Sequence, residues 1–420
     1  MRILYNFSLY LYLFMIRVAS LFSVKARQWL RGRRRLLPKM QEAAGQLALP
    51  GTPPDRGRTI WFHCASLGEF EQGRPVIERF RELHPEWCIL LTFFSPSGYE
   101  IRKDYTGADH VFYLPMDTAS NVKSFLDTWQ PEMAVFVKYE FWFNYLAGLA
   151  RRGIPVLIIS AIFRENQHFF RFYGGWFRKQ LCHVTRFFVQ DEGSRSLLAR
   201  YGIKQAEVSG DTRFDRVYHL SRHPGSFPEI ERFANGNPVM VAGSTWPKDE
   251  TLVGSLISDN KCDLKFIIAP HEVHRERIDR LVASLGTRAV RYSEYTESPS
   301  ADAKIIVIDG IGMLSRLYRY GQLAFIGGGF GQGIHNILEA AAFGLPVFFG
   351  PNYQKFAEAR DLVEKGGAFC VKDASELHRK VDELTSNKER LLEAGEICRR
   401  YVESKQGATG IIVSCLEELH

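Results

Sequence analysis

The seven cysteines, Cys64, Cys88, Cys182, Cys262, Cys370, Cys398 and Cys415, form no C-x-x-C pair and no metal-type spacing. A zinc site and a disulfide framework are therefore not expected; buried free thiols of a reducing compartment are. No D-x-D pair closes a strand-like run, which removes the usual reason to expect a metal ion beneath a diphosphate. The longest glycine run lacks both the G-x-G-x-x-G spacing and a terminal Gly-Lys-Ser/Thr, so dinucleotide hydride transfer and P-loop phosphoryl transfer lose support. Internal repeats at solenoid periods and low-complexity tracts are also missing. No small-residue cleavage site follows the apolar N-terminal run, and its basic flank lies behind it, the reverse of a cleaved secretory signal.

What is present is an ordinary globular balance: 420 residues, 45% hydrophobic and 24% charged, enough for two cores. The formal charge of +7 is modest, but Lys25, Arg27, Arg31, Arg33, Arg34 and Arg35 crowd directly behind the apolar run from Ile3 to Phe22. A basic cluster in that place reads as the cytoplasmic flank of a membrane segment, whereas a nucleic-acid binder spreads its cations over a folded face. The expected partner is a membrane, not nucleic acid. Before Arg17 the run, which carries Tyr5, Phe7, Tyr10, Tyr12 and Phe14, is short for a hydrocarbon core of roughly 30 Å. With Arg17 snorkelling it would reach Phe22; a helix packed on the body is the alternative. Residues 1–35 are read as membrane anchor and basic flank, and 36–58, rich in Gly and Pro from Gln41 onward, as a linker.

Short β-branched or aromatic runs then alternate with helical patterns: Thr59 to Cys64, Cys88 to Phe94, Val111 to Leu114, Ala134 to Lys138, Pro155 to Ser160 and Phe187 to Gln190. A second set comprises Val239 to Ala242, Lys265 to Ala269, Lys304 to Ile308, Leu323 to Ile326 and Val347 to Phe349. Alternation of this kind predicts parallel sheets wrapped by helices, an α/β chain of two doubly wound, Rossmann-like domains facing a central cleft. The boundaries are 59–221 and 238–420, separated by a Pro- and Gly-rich linker at 222–237.

In the second half, the strand Leu323 to Ile326 runs into Gly327-Gly-Gly-Phe-Gly-Gln-Gly333 and then a helix-like pattern from Ile334 to Phe343. Glycines with a helix start behind them can cradle a phosphate, or they simply make a tight turn. The segments after three further strands, Gly243 to Pro247, Pro270 to His274 and Asp309 to Gly312, fall on the same carboxyl edge, where a nucleotide is expected.

In the first half, Glu69 follows the strand Thr59 to Cys64 at a strand-to-helix junction. A carboxylate there can take the proton of an attacking hydroxyl, although Ser66 and Glu69 also have the S-x-x-E spacing of a capping box. Glu140 is a second carboxylate on that edge, or a turn residue anchored by Phe141 and Trp142. The stretch holding Arg164, Arg171, Arg178 and Lys179 among Phe163, Phe169, Phe170, Phe172, Tyr173, Trp176 and Phe177 suits either a lipid interface or a core helix with snorkelling arginines.

At His63-Cys-Ala-Ser-Leu-Gly-Glu69, Lys138-Tyr-Glu-Phe-Trp-Phe-Asn144, Gly210-Asp-Thr-Arg-Phe-Asp215, Ala242-Gly-Ser-Thr-Trp246, Ala269-Pro-His271 and His335-Asn-Ile-Leu-Glu339, the sequence resembles the 3-deoxy-D-manno-octulosonic acid (Kdo) transferases of lipopolysaccharide synthesis. The resemblance covers nearly the whole chain. It implies a GT-B fold, an acceptor-binding first domain, a nucleotide-sugar-binding second domain, and inverting transfer of Kdo from CMP-Kdo to a lipid A precursor of the lipid IVA type. It further implies no metal, no cofactor besides the donor, and an inner-membrane location with the body on the cytoplasmic side. By position, Glu69 would be the general base, with Glu140 and Arg213 binding or supporting the acceptor. CMP would meet Pro270, His271, Ile311, Gly312, Met313, Asn336, Ile337, Leu338 and Glu339. This chain departs from many relatives at Ile334, where they have glycine, and at Met313, where they have an acid. A transferase using another nucleotide sugar and a non-catalytic nucleotide sensor are the rival readings; protection by CMP or UDP separates the first, and absence of turnover the second.

Overall fold

The computed structural model describes residues 1–47, 57–259 and 263–419; residues 48–56 of the expected linker, and Cys262, lie outside the described residues. Two parallel sheets carry the architecture. In the first, Thr59–Cys64 (β1), Cys88–Phe93 (β2), His110–Tyr113 (β3), Met133–Val137 (β4), Val156–Ala161 (β5), Arg186–Val189 (β6) and Ala206–Val208 (β7) run in the order β3-β2-β1-β4-β5-β6-β7. In the second, Val239–Thr245 (β8), Lys265–Pro270 (β9), Ala289–Arg291 (β10), Ile305–Val307 (β11), Leu323–Ile326 (β12), Val347–Phe349 (β13) and Ala368–Cys370 (β14) run β10-β11-β9-β8-β12-β13-β14. β1, β2, β4 and β5 are buried at every position, which is why they read as unbroken apolar runs. Strand order reverses beside β1, which pairs with both β2 and β4, and beside β8, which pairs with both β9 and β12. Such reversals open a crevice outside the strands' carboxyl ends.

The chain divides into one unit of Met1–Asp215 with Gln406–His420 and another of Arg216–Lys405. The boundary expected at 222–237 therefore lies inside the second unit, where Pro228–Ala234 is a helix that starts on Pro228, buries Ile230 and Phe233, and stops at left-handed Asn235. Gln406–His420 returns to the first unit, with Ile412, Val413, Cys415 and Leu416 packed among Phe70, Val76, Ile77 and Phe80. Asp215 fixes that return by accepting the backbone N–H of Gly407 and of Thr409. Part of the stretch read as a 36–58 linker is the helix Leu36–Leu47; Leu36 and Met40, one turn apart, bury into the first core.

The N-terminal helix Arg2–Ala19 is two-faced. Leu9 is buried, the Tyr5 hydroxyl donates to Asp117 Oδ2 at 2.6 Å, and Asn144 Nδ2 donates to Asn6 Oδ1 at 2.9 Å. Its other side leaves Ile3, Leu4, Phe7, Tyr10, Leu11, Phe14, Met15 and Val18 exposed. Among the described residues, no helix is long and apolar enough to cross a membrane. A spanning arrangement of Arg2–Ala19 would also break its polar ties to Asp117 and Asn144, so the expected membrane segment is, in this structure, a helix laid on the body. Arg33 locks the following helix Val24–Gly32 down by donating to Leu114 O (3.0 Å) and Phe94 O (2.9 Å) while lying over the Trp29, Phe94 and Tyr113 rings.

Candidate functional site

On the first sheet's carboxyl edge, β1 ends at Cys64 and the helix Leu67–Leu83 starts two residues later from Ser66. The Ser66 hydroxyl caps no backbone N–H; it donates to the Glu69 carboxylate. The capping-box alternative is thus not realised, and the half-exposed Glu69 carboxylate is held by a hydroxyl at the helix mouth. Gly73, on the same helix, lets it lie against Val137 and Cys64: a Cβ there would stand 3.0 Å and 3.2 Å from them.

Glu140 follows β4 after Lys138, whose φ of 69° turns the chain sharply; strained backbone of this kind clusters at functional sites. Its Oε2 accepts the Trp142 indole N–H at 2.7 Å and faces His63 Nε2 at 3.3 Å. Glu69 and Glu140 share a neighbour: burial pushes the Cys64 thiol far up, and the charges of Glu69, Glu140 and Glu71 add to it. The structure thereby brings the two predicted carboxylates to one place. Arg213 lies on the same edge but is engaged, its Nε and Nη2 holding Asp211 Oδ2 at 2.9 and 2.8 Å. Burial pushes the Asp211 carboxyl up, yet the Arg213 charge with hydrogen bonds from Arg213 and Gln72 outweighs it and keeps the group below its ordinary range. Behind it, Ser160 Oγ donates to Thr212 Oγ1 (3.0 Å), which donates to Gln72 O (2.5 Å). Sequence reading named none of Gln72, Ser160 or Asp211 individually, because they meet only through the fold.

In the aromatic-basic stretch, Phe163, Phe169 and Phe170 belong to the core while Phe172 is 98% exposed. Arg178 donates to Phe169 O (2.8 Å) and lies over Tyr201, so the snorkelling-arginine reading describes this residue.

The second sheet's carboxyl edge is built differently. Pro270 ends β9, and the His271 ring stacks with Trp246 (centroids 4.7 Å apart) and with His335 (4.5 Å). Trp246 Nε1 donates to His335 Nε2 at 3.0 Å, so His335 carries its proton on Nδ1. Burial, with His271 beside it, pulls the His335 imidazole down to about 4. Trp246 and His335 were visible only as parts of motifs; the stack appears when three strand ends meet. Ile311 is 84% exposed and Gly312 has a φ of 86°, placing Ile311–Met313 in an open loop after β11.

Two expectations for this edge need correction. The helix predicted from Ile334 to Phe343 is only Leu338–Ala342, and Asn336 Oδ1 takes the Leu338 N–H, one of those at its start, at 3.1 Å. The side chains of Ile337 and Leu338 are buried, so only their backbone can face a ligand; Asn336 Nδ2 reaches Glu339 Oε1 at 3.3 Å. The glycine run makes a close-packed turn. A Cβ on Gly327 would fall 2.2 Å from Ser244 O, one on Gly329 would fall 2.5 Å from Gly350 N, and the Gly328 N–H is taken by Asp249 Oδ2 at 2.9 Å.

Residues 33–216 match the family described as 3-deoxy-D-manno-octulosonic-acid transferase (kdotransferase). A 3-deoxy-D-manno-octulosonic acid transferase of Chlamydophila psittaci is 28% identical over 350 residues, 81% of this chain and 79% of that protein. One from Haemophilus influenzae is 26% identical over 394 residues, 90% and 91% of the two chains. Among solved structures, UDP-GlcNAc 2-epimerase from Neisseria meningitidis superposes with a TM-score of 0.59 at 15% identity, covering 86% of this chain and 100% of that one. MurG from Acinetobacter baumannii gives 0.53 at 12% identity, over 86% and 99%. With the two parallel seven-stranded sheets, these likenesses give a GT-B-like fold.

Proposed function

The chain belongs to the 3-deoxy-D-manno-octulosonic acid (Kdo) transferase family of glycosyltransferases, and from that premise we propose an inverting transfer of Kdo from CMP-Kdo to a lipid A precursor of the lipid IVA type. Glu69 takes the proton of an acceptor hydroxyl as that oxygen bonds to the anomeric carbon of Kdo and CMP leaves with the bonding pair. The observation that carries this assignment is the Glu69 carboxylate itself: half-exposed beside the strand-order reversal, and bonded to the Ser66 hydroxyl instead of being spent on a helix cap.

Glu140 and Arg213 support the acceptor side in this proposal, Arg213 through its ion pair with Asp211. CMP is held by Pro270, His271, the loop Ile311-Gly312-Met313, Asn336 and Glu339, with Ile337 and Leu338 contributing backbone only. Stacking with Trp246 and His335 fixes the plane of the exposed His271 ring, whose nitrogens are offered to the nucleotide in this proposal. The exposed apolar side of Arg2–Ala19, flanked by Lys25, Arg27 and Arg31, seats the protein in the interfacial layer of the inner membrane, body toward the cytoplasm, within reach of a lipid acceptor.

The test is transfer to lipid IVA with CMP-Kdo generated in place. Wild-type protein should yield a product heavier by one or more Kdo units. Glu69→Gln should lose about a hundredfold to ten-thousandfold in turnover while CMP still raises its melting temperature. Full activity in Glu69→Gln would remove the residue from the role.

A further inference from the structure

We infer that the cavity between the helices Arg2–Ala19, Phe143–Arg151 and Gly175–Leu181 is a site for the phosphate headgroup of an anionic glycerophospholipid, separate from the place where the acceptor reacts. The inference extends the interfacial seating proposed above and rests on it, but not on Kdo transfer.

The cavity has a volume of about 490 Å³, within the roughly 300–1,000 Å³ usual for small-molecule sites. Its charged lining is cationic: Arg2 from the first helix, Arg151 from the end of the second and His183 just behind the third. No Asp or Glu lines it, and the side chains of Arg2 and Arg151 make no ion pair or hydrogen bond among the described residues. Neighbouring cations are answered, Arg152 by Asp127 and Arg186 by Glu207. Asp117 feels the Arg2 charge, but its oxygens already accept the Tyr5 hydroxyl and the N–H groups of Asn144 and Tyr145. Burial, with the Arg151 charge added, pulls the His183 imidazole below its ordinary value, so that ring too has a cation beside it. Like charges gathered without an acid repel, and a bound anion relieves the repulsion. Guanidinium forks match the non-bridging oxygens of a phosphate.

The rest of the wall makes that anion a lipid. Tyr5, Phe143 and Trp176 line the cavity with rings, Phe143 lying edge-on to Tyr5 (centroids 5.0 Å apart) and to Trp176 (5.1 Å). A free phosphate has nothing to set against them, whereas glycerol and the first methylenes of an acyl chain do. Amphipathic rings beside cations suit the headgroup level of a bilayer. The cavity adjoins the apolar side of Arg2–Ala19, where Ile3, Leu4 and Phe7 are exposed, and the exposed Phe172 stands just before the helix that brings Trp176. Acyl chains leaving the cavity therefore meet apolar surface. The acceptor's reacting hydroxyl belongs elsewhere. Glu140 precedes the helix Phe143–Arg151, and Arg151 ends it, about 12 Å further along its axis.

The experiment is native mass spectrometry of the full-length, detergent-solubilised protein titrated with phosphatidylglycerol or phosphatidylcholine. Wild-type protein should retain phosphatidylglycerol in preference to phosphatidylcholine. Arg151→Gln should weaken that retention about tenfold, the loss of one charge-assisted hydrogen bond, while Lys25→Gln/Arg27→Gln, which strips charge from the basic flank, should leave it unchanged. Arg151 holds no protein partner, so its variant should keep the wild-type melting temperature; if it does not, Arg2→Gln carries the same expected loss. Undiminished retention in both folded variants overturns the proposal, as does equal retention of phosphatidylcholine. Displacement by glycerol 3-phosphate would make the cavity a free-phosphate site and displacement by lipid IVA an acceptor site, and either result also overturns it. Protein that floats with phosphatidylglycerol vesicles but retains none of the lipid in detergent keeps the interfacial seating and loses this site. Protein that retains the lipid but transfers no Kdo refutes the transferase reading alone.

Discussion

The two sheets present carboxyl edges of opposite construction. The first is made of side chains: Ser66 on Glu69, His63 and Trp142 on Glu140, Arg213 and Gln72 on Asp211. The second is made largely by omitting them, with Gly327 against Ser244 and Gly329 against Gly350, and with the rings of Trp246, His271 and His335 clustered beside that turn. An edge that moves protons needs oriented polar atoms, whereas one that grips a flat, charged ligand needs backbone at close range. The difference teaches that equal topology does not mean equal vulnerability.

The comparison breaks most visibly at glycine. Gly329→Ala would put a methyl 2.5 Å from Gly350 N and 2.7 Å from Gly350 Cα, backbone that cannot rotate away. We expect a loss of about 3 kcal/mol, the upper end for overpacking, seen as a lower urea midpoint for the second unit. A milder division is predicted along pH. Burial lifts Asp117, in the first unit, from 3.8 to about 7, so its contribution is present at low pH and is lost as pH rises toward 7. Burial lowers His335, in the second, from 6.5 to about 4, so its contribution is present above 6.5 and is lost as pH falls toward 4. Unfolding midpoints followed from pH 4 to 7.5 should carry these opposite slopes, with Asp117→Asn flattening only the first and His335→Gln only the second. The smallest effect is at Gly68, beside Glu69, where an added Cβ finds nothing nearer than Ser66 Oγ at 3.8 Å. Gly68→Ala should gain about a few tenths of a kcal/mol from helix propensity, measurable as a slightly raised urea midpoint for the first unit.

The same contrast governs what the sequence discloses. Central strands such as Cys88–Phe93 announce themselves as apolar runs because both faces are covered. Ala206–Val208, Ala289–Arg291 and Ala368–Cys370 went unread: each has three residues, lies at a sheet edge, and carries polar or half-exposed positions that dilute the pattern. The placing of Glu69 and Glu140 on the first edge was legible because each follows a strong strand. His63 was not, since inside Thr59–Cys64 it passes for core, and its partners stand 29 and 77 positions away. The helix expected from Ile334 was an imitation. Ile334, Ile337 and Leu338 have helical spacing, but Gly333 at φ 145° and the turn closed by Asn336 Oδ1 on the Leu338 N–H precede a helix that starts only at Leu338.

The return of Gln406–His420 to the first unit has a consequence for the order of events during synthesis. Phe70, Val76, Ile77 and Phe80 have their packing partners Ile412, Val413, Cys415 and Leu416 on the far side of the whole second unit. A nascent chain therefore carries an unfinished first core while Arg216–Lys405 is translated and folds, and apolar surface exposed in that interval invites chaperones or aggregation. The second unit, continuous in sequence, is free to complete first, and the unit that begins the chain is the later one to close.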